Sequence, residues 1–195
     1  MTTANKITLI RILLVPFFIT FALWYVREGD EWFRFATVLT FGLASISDGL
    51  DGYIARHYNQ RSELGAILDP LADKLLLIAA IILLSFESNG HFARIPLWLI
   101  IVVLSRDVLL VLGLSVIYYM FGKVKVRPRV AGKIGTVFQM CVVVWILLKW
   151  DRWGGLTLFW LEVGAALFTG LSGLLYIWDW IQQLSEHPSS GPTKP

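Results

Sequence analysis

The stretch DGLDGYIARHYNQRSELGAILDPLAD, which runs from Asp48 to Asp73, decides both the fold and the chemistry of this chain. It holds four aspartates, although 56% of the chain is hydrophobic. An unpaired carboxylate at membrane depth costs at least ~2.5 kcal/mol on insertion scales, and crowded carboxylates also repel one another. The stretch therefore predicts a positive group among the aspartates.

The spacing of the aspartates indicates what this positive group is. Two sets of residues recur at steps of three and four, as neighbours on one helix face do: Asp48, Asp51, Gly52 and Ala55 in the first set, and Gly65, Asp69 and Asp73 in the second. Hard divalent cations prefer oxygen ligands, and carboxylates that leave room for water and phosphate oxygens suit Mg²⁺ or Mn²⁺ better than zinc. We therefore predict a metal site with the four aspartates as ligands, Asp73 sharing coordination in a two-metal arrangement.

Two alternative roles for the acids stay open. Structural ion pairs would need about as many cations as acids, and between Asp48 and Asp73 only Arg56 and Arg61 would serve. Acids inside membrane spans also build ion or proton transporters, which commonly show inverted repeats and helices broken at mid-membrane. Here the acids are confined to two neighbouring spans, with no second copy in the later half of the chain. Ion transport is kept as an alternative hypothesis.

Composition and charge indicate a polytopic, all-α membrane protein. The 195 residues have a mean hydropathy of +0.67, and several apolar runs reach the roughly 20 residues that cross a bilayer. The net charge of +3 comes from basic residues in short loops beside apolar runs. Because this pattern sets topology and attracts anionic lipid, we expect membrane lipids and no nucleic acid as partners. The single cysteine, Cys141, cannot form an internal disulfide.

Six apolar runs predict six transmembrane helices, over residues 7–26, 33–56, 65–86, 95–121, 134–150 and 156–181. With the amino terminus inside, the inside loops hold most of the cations, so the positive-inside rule favours this orientation and two cytoplasmic termini. The orientation brings both halves of the aspartate stretch and the basic segment 122–133 to the cytoplasmic side. We expect one membrane domain over residues 1–184 and a disordered Pro/Ser/Gly-rich tail over residues 185–195.

The full spacing of the stretch, Asp-x2-Asp-Gly-x2-Ala-Arg-x8-Gly-x3-Asp-x3-Asp, matches a known family signature without a departure. By this signature the chain is identified as a member of the CDP-alcohol phosphotransferases (CDP-alcohol phosphatidyltransferases), integral-membrane enzymes that build phospholipid head groups. The resemblance implies transfer of a phosphatidyl group from CDP-diacylglycerol to a polar alcohol with release of CMP, two Mg²⁺ or Mn²⁺ ions, and a homodimer. It also assigns Asp73 a second role, as the catalytic general base. We expect the protein in a bacterial inner membrane.

The resemblance also implies which residues contact the CDP-linked lipid. Gly52 and Ala55 would leave space for the nucleotide, and Arg56 would place a cation near cytidine or phosphate. The opening Asn-x2-Thr-x2-Arg resembles part of the family's nucleotide-lipid site, although from the residues alone Asn5 would only cap the first helix and Arg11 would snorkel. The residues predicted for the donor site are Asn5, Thr8, Arg11, Gly52, Ala55, Arg56 and Gly65.

A second group of charges predicts where an anionic acceptor binds. Arg106 and Asp107 interrupt the fourth apolar run, and charges inside a span are functional candidates. The segment 122–133 holds five cations and no acid, which is typical of a cytoplasmic loop but also suits an anion site. We predict that Arg106, Arg129 and Lys133 bind a phosphate of the acceptor.

Resemblance within the family leaves two main acceptors open, with inositol-phosphate and serine acceptors as lesser alternatives. The segments DPLADK (69–74), NKITLIR (5–11) and GKIGTVFQM (132–140) resemble the branch whose acceptor is glycerol 3-phosphate. That branch typically follows the mid-span arginine with Glu, whereas this chain has Asp107 and there resembles the eukaryote-type cardiolipin synthases, whose acceptor is phosphatidylglycerol. Glycerol 3-phosphate is the predicted acceptor, and phosphatidylglycerol is the alternative.

Overall fold

A computed structural model describes the backbone of residues 3–57, 63–86, 90–121, 130–150 and 154–186; within these ranges the side chains of residues 3–7, 48–57, 63–71, 73, 114, 117, 118, 120, 121 and 183–186 are outside the described part. The described backbone forms six helices and no strand. They are α1 (Thr3–Glu28), α2 (Glu31–His57), α3 (Glu63–Leu83), α4 (Leu97–Phe121), α5 (Val130–Leu147) and α6 (Gly155–Glu186). The prediction of an all-α protein is confirmed.

Three stretches of the described helices are long and apolar enough to cross a membrane: Thr8–Glu28, Val130–Leu147 and Gly155–Gln182. Their outer faces carry large apolar side chains such as Leu13 and Leu167, which are 62% and 66% exposed. Exposed leucine is costly in water but not against lipid chains, which are equally apolar. The chain is therefore a membrane protein, and the crossings by α2, α3 and α4 stay a prediction.

Every helix differs from its predicted span by a few residues at one or both ends, and two of the larger differences lie in α5 and α6. α5 begins at Val130, four residues before the predicted start, so Lys133 lies in a helix instead of a loop. The prediction followed hydropathy, which falls at Lys133, but helix propensity does not fall at lysine. α6 extends to Glu186 because Gln182 and its polar neighbours are good helix formers. Most of the predicted tail, residues 187–195, lies outside the described residues.

The chain divides into two compact units, Met1–Pro96 with Met140–Leu158 and Leu97–Gln139 with Phe159–Pro195. In the first unit α1 packs against both α2 and α3. Only Gly29 and Asp30 separate α1 from α2, so the two helices are antiparallel. Gly29 has a φ of +74°, and a Cβ there would lie 2.7 Å from Cε1 of His91. The turn therefore requires glycine for both its backbone and its space.

Aromatic contacts fix the register of α1 against α2. The ring centroids of Phe18 and Phe41 are 5.7 Å apart, and those of Trp24 and Phe33 are 5.2 Å apart. Phe18 and Phe41 are both buried. Because residue numbers rise on one helix as they fall on the other, the polar start of α1 meets the aspartate-bearing end of α2.

A charge cluster lies at the opposite end of the first unit. Lys149 Nζ is 2.8 Å from Glu31 Oε1, and Arg34 Nε donates a hydrogen bond to Oε2 of the same carboxylate. Tyr25 Oη donates to Glu31 Oε1 over 3.3 Å, and the Tyr25 ring centroid lies 5.0 Å from Lys149 Nζ. The hydrogen bonds from Lys149 and Arg34 lower the pKa of Glu31 to about 2. The cluster ties the start of α2 to the segment that follows α5.

We expect Glu31→Gln to destabilise the protein at pH 7 by about 1 kcal/mol, or about 2–4 °C in thermal midpoint. The Glu31 side chain is 58% exposed, and solvent screening keeps the effect this small. Because folding lowers the pKa of Glu31, its contribution is complete above the unfolded-state pKa of 4.5 and is lost as the pH falls toward 2. The melting curves of the two proteins in detergent should therefore approach each other as the pH falls from 4.5 toward 2.

The matched control for this variant is Glu28→Gln, at an exposed position just before the same turn. Its thermal midpoint should equal that of the unmodified protein at every pH. A Glu31→Gln deficit that stays constant down to pH 3 would contradict a role for the ion pairs and leave only a packing effect.

In the second unit, α4 and α6 run parallel to each other. A Cβ on Gly113 would collide with the ring of Trp180, so these two positions face each other. Seven residues earlier on both helices, Arg106 Cγ lies 3.6 Å from the position of a Cβ on Gly173. The paired residue numbers rise together, as parallel helices require.

The start of α5 runs antiparallel to α6 and approaches it closely. A Cβ on Gly132 would lie 2.9 Å from Ser172 Oγ, and a Cβ on Gly135 would lie 2.9 Å from Thr169 Oγ1. One turn later Gln139 Nε2 donates to Thr169 Oγ1 over 2.8 Å. Small residues allow this approach, as is common where membrane helices pack. Since α4 runs parallel to α6 and α5 runs antiparallel to α6, the three helices alternate in direction, as three successive membrane crossings would.

Candidate active site

The four aspartate positions lie on two helices that touch. Asp48 and Asp51 belong to α2, and Asp69 and Asp73 belong to α3. Asp51 is six residues before the end of α2, and Asp69 is six residues after the start of α3, which follows through a five-residue connection. Since so short a connection makes adjacent helices antiparallel, both pairs lie at the same end. Their side chains are outside the described part, and metal ligation by them stays a prediction.

α1 brings two polar residues to this end. The contact between Phe18 and Phe41 fixes the register of the antiparallel helices α1 and α2. Arg11 is seven residues before Phe18, and Asp48 is seven residues after Phe41. Arg11 and Asp48 therefore lie at the same height along the two helices. Thr8, three residues before Arg11, is level with the second aspartate of α2 by the same count. The predicted donor residues of α1 therefore lie beside the aspartate end of α2.

Thr8 and Arg11 are fully buried, each with 0% of its surface exposed. Arg11 is the largest of the fully buried side chains, so it does not reach out to a membrane surface as a snorkelling arginine does. A guanidinium buried at membrane depth requires anionic partners. Carboxylates or phosphates at the aspartate end of α2 are partners of that chemistry. Asn5 lies on α1, but its side chain is outside the described part.

The remaining predicted donor residues lie on the same helix ends. Gly52, Ala55 and Arg56 follow Asp51 on α2, and Gly65 lies in the first turn of α3, two residues after its start. Their backbones are helical, as the sequence predicts, and their side chains are outside the described part. All seven donor positions thus lie on α1, α2 and α3 of the first unit.

A separate polar cluster surrounds Arg106 in the second unit. The Arg106 side chain is 12% exposed; its Nη1 lies 2.7 Å from Asp107 Oδ1, and its Nη2 donates to Ser172 Oγ over 3.4 Å. Its Cζ stands 5.8 Å from the ring centroid of Tyr176, within cation–π range. Arg106 Nε is buried and has no hydrogen-bond partner among the described residues. The guanidinium therefore retains donor capacity for an anion.

The other two predicted acceptor residues do not join this cluster in the described part. Lys133 is exposed on α5, and Arg129 lies outside the described residues. The residue of α5 that faces Arg106 is Gly132, where a Cβ would lie 2.8 Å from Nη2. α5 therefore presents a glycine to Arg106 and leaves the neighbouring lysine exposed.

Two members of the Arg106 cluster, Ser172 and Tyr176, were missed by sequence reasoning. They stand four residues apart on one face of α6, far along the chain from Arg106 and inside an apolar run. The one signal in the sequence is a serine and a tyrosine one turn apart within a membrane span. That spacing is common in membrane helices and does not by itself indicate a partner.

Comparison with known proteins extends the similarity over nearly the whole chain. A family model described as CDP-alcohol phosphatidyltransferase matches residues 1–172. A Haemophilus influenzae protein named CDP-diacylglycerol--glycerol-3-phosphate 3-phosphatidyltransferase is 30% identical over 182 residues, which cover 91% of this chain and 89% of that protein. Proteins of the same name are 31% identical over 183 residues in Shigella flexneri serotype 5b and 30% identical over 186 residues in Escherichia coli K12, each covering 92% of this chain and 91% of the relative.

Proposed function

Because the chain belongs to the CDP-alcohol phosphatidyltransferase family, we propose that it transfers the phosphatidyl group of CDP-diacylglycerol to glycerol 3-phosphate. The products are phosphatidylglycerophosphate and CMP, and the reaction is a step of phospholipid biosynthesis. The chain is a transferase, and its family uses CDP-alcohol donors and alcohol acceptors. The observation that carries the choice of acceptor is the similarity to relatives named for this reaction over about nine tenths of both chains.

The aspartate positions fit a divalent-cation site by the chemistry of the donor set. Carboxylate oxygens are the ligands that Mg²⁺ and Mn²⁺ prefer, and two helices in contact carry two aspartates each near their adjoining ends. The family is generally dependent on divalent metal. Asp48, Asp51, Asp69 and Asp73 would hold two such ions. When bound, the ions would offset the charge of the pyrophosphate and draw electron density from the phosphorus under attack.

In this proposal Asp73 is the general base. The acceptor hydroxyl gives its proton to the Asp73 carboxylate, and its oxygen forms a bond to the lipid-side phosphorus of CDP-diacylglycerol. The bond from that phosphorus to the bridging oxygen breaks, and CMP leaves with the electron pair of this bond. Asp73 follows Asp69 by one turn of α3, so both positions share a helix face from which one carboxylate would face the acceptor.

Donor binding falls to the helix ends that surround the aspartate positions. Arg11 is buried level with Asp48, where its charge would bind a donor phosphate or orient a carboxylate. Gly52 and Ala55 would leave space on α2 for the nucleotide, as the family signature implies. The complete proposed set is Asn5, Thr8, Arg11, Gly52, Ala55, Arg56 and Gly65.

Acceptor binding is proposed for the cations of the second unit. Arg106 supports this role because its buried guanidinium keeps a donor, Nε, without a partner among the described residues. Lys133 is exposed one residue beyond Gly132, which faces Arg106. Arg106, Lys133 and Arg129 would together bind the phosphate of glycerol 3-phosphate.

One observation favours the alternative acceptor, phosphatidylglycerol, and hence a cardiolipin synthase. Asp107 Oδ1 lies 2.7 Å from Arg106 Nη1. The carboxylate of Asp107 therefore already offsets part of the positive charge of Arg106, which would otherwise bind a phosphate dianion. Phosphatidylglycerol presents a hydroxyl group and only a singly charged phosphodiester. A partly neutralised arginine suits that weaker charge better than the terminal phosphate of glycerol 3-phosphate.

To test the proposed function, the protein is purified in detergent and supplied with CDP-diacylglycerol and Mg²⁺ or Mn²⁺. Each acceptor is then added in a separate reaction. CMP release and the lipid product are both followed. We expect phosphatidylglycerophosphate from glycerol 3-phosphate and no cardiolipin from phosphatidylglycerol. Product from phosphatidylglycerol alone would overturn the proposal in favour of the alternative. Uptake of a labelled cation into proteoliposomes, with no product from either acceptor, would instead support a transporter.

The membrane arrangement follows from the same family assignment. We propose a multi-pass protein of a bacterial inner membrane, with six crossings, both termini in the cytoplasm and the site at the cytoplasmic side. The three apolar stretches Thr8–Glu28, Val130–Leu147 and Gly155–Gln182 support several crossings. We further propose one membrane domain over residues 1–184, which assembles as a homodimer.

A further inference from the structure

Gly132 stands where any side chain would collide with the Arg106 cluster. A Cβ on Gly132 would lie 2.8 Å from Arg106 Nη2 and 2.9 Å from Ser172 Oγ. Real Cβ atoms essentially never approach other heavy atoms below 3.0 Å. An alanine at position 132 would therefore clash with the guanidinium of Arg106 in its present position.

The atoms that a Cβ at Gly132 would meet are ones that can move. Arg106 Nη2 is the far end of a long flexible side chain, and Ser172 Oγ can rotate about one bond. Gly135 differs, because a Cβ there would lie 3.1 Å from the backbone nitrogen of Thr169 and would press on α6 itself. An alanine at 132 would thus displace the guanidinium, whereas an alanine at 135 would disturb helix packing.

The guanidinium of Arg106 is held on several sides, so its direction is set by the protein. Asp107 binds Nη1, Ser172 binds Nη2, and the ring of Tyr176 lies within cation–π range. Gly173 lies against the aliphatic stem, with 3.6 Å from its Cβ position to Arg106 Cγ. Arginine recognises phosphate through a planar fork of donors, so a displaced guanidinium loses hydrogen bonds even though its charge remains.

We propose that Gly132 is a positioning residue of the acceptor site. Its missing side chain provides the space in which Nη2 of Arg106 lies, and this directs the remaining donors of the guanidinium toward the phosphate of the acceptor. Gly132 does not itself touch the substrate; it acts through Arg106. The inference rests on the proposed function, because it takes Arg106 to bind the acceptor phosphate.

The test is Gly132→Ala, with the KM of each substrate measured separately in detergent. We expect the KM for glycerol 3-phosphate to rise about tenfold, as the loss of a hydrogen bond to a charged group predicts. The KM for CDP-diacylglycerol and the kcat should stay within about twofold, since Gly132 acts only through an acceptor contact. The thermal midpoint should stay near that of the unmodified protein, because the displaced atoms are flexible.

The chain offers a matched control and a second variant. Gly170→Ala, on α6 of the same unit, has nothing within 4 Å of the new Cβ and should leave both KM values and the kcat unchanged, while its thermal midpoint rises slightly because alanine favours the helix. Ser172→Ala removes the partner of Arg106 Nη2 without adding volume and should raise the same KM by a few fold. This second variant tests the Arg106 geometry if Gly132→Ala fails to fold.

The outcomes separate this inference from the proposed function. If the unmodified protein makes no product from glycerol 3-phosphate, the proposed function fails and the inference fails with it. If the unmodified protein turns over but Gly132→Ala behaves like Gly170→Ala, only the inference is overturned. A rise in both KM values together with a lower thermal midpoint would also overturn it, because that pattern belongs to a packing residue.

Discussion

Asp73→Asn is expected to lower turnover by at least ~10³-fold while CDP-diacylglycerol still binds within about threefold of its original affinity. The amide cannot accept the proton of the acceptor hydroxyl, and it is a poorer ligand for Mg²⁺ or Mn²⁺ than a carboxylate. Donor binding should survive, because the other three aspartates and the buried Arg11 remain. The measurements are CMP release under saturating substrates and binding of labelled CDP-diacylglycerol to purified protein.

Asp69→Asn is the matched comparison, since Asp69 lies one turn earlier on α3 and is assigned only to metal. Raising the Mn²⁺ concentration should restore part of the turnover of Asp69→Asn and none of the turnover of Asp73→Asn. Recovery of Asp73→Asn at high Mn²⁺ would remove Asp73 from the base role. If Asp73→Asn keeps its turnover without any extra Mn²⁺, Asp73 takes no part in the reaction.

The helices were largely predictable because apolar length and a helical repeat are local properties of the sequence. The span predicted over residues 33–56 forms α2 as Glu31–His57, and the span over 95–121 forms α4 as Leu97–Phe121. The predicted start of α5 lies too late because hydropathy falls at Gly132 and Lys133 although helix propensity at lysine does not. Hydropathy predicts the ends of an apolar run, and these differ from the ends of the helix wherever the helix continues into polar residues.

The contacts that hold distant residues together were not predictable in the same way. Glu31 and Lys149 form an ion pair although they are 118 positions apart in the sequence, and neither has a distinctive sequence context. The sequence singled out Arg106 as a charge inside a span, but its partners Ser172 and Tyr176 come from an apolar run much later in the chain. Only tertiary packing decides which polar residue of one membrane helix meets a charge on another.

The burial of Arg11 changes the charge balance at the aspartate end of the first unit. The sequence left open whether this arginine snorkels, and its 0% exposure shows that it does not. It adds one positive charge level with Asp48, where α2 and α3 carry four carboxylates between them. Arg56 lies on the same end of α2, and Arg61 and Lys74 also belong to this part of the sequence, so the four aspartates exceed these cations once the two charges of a pyrophosphate are added. The excess favours divalent cations over structural ion pairs.

Removal of divalent metal is therefore expected to lower turnover below about 1% of its original value, since a two-metal site both compensates the carboxylates and activates the phosphorus. Turnover after EDTA treatment should return with Mg²⁺ or Mn²⁺ and not with Zn²⁺, which prefers nitrogen and sulfur ligands. A readout independent of turnover is the thermal midpoint. Metal at about 100 times its Kd should stabilise the fold by ~2.7 kcal/mol, or about 5–10 °C.

Asp51→Asn separates a site at the aspartates from metal bound elsewhere. Asp51 is assigned as a ligand on α2, level with the buried Thr8 of α1. The variant should lose most of the stabilisation by Mn²⁺, whereas Glu28→Gln, an exposed acid at the far end of α1, should keep all of it. Full turnover in EDTA would contradict the metal site, because the two arginines would then suffice to offset the carboxylates and the pyrophosphate. Equal Mn²⁺ stabilisation of both variants would place the ion away from the aspartate stretch.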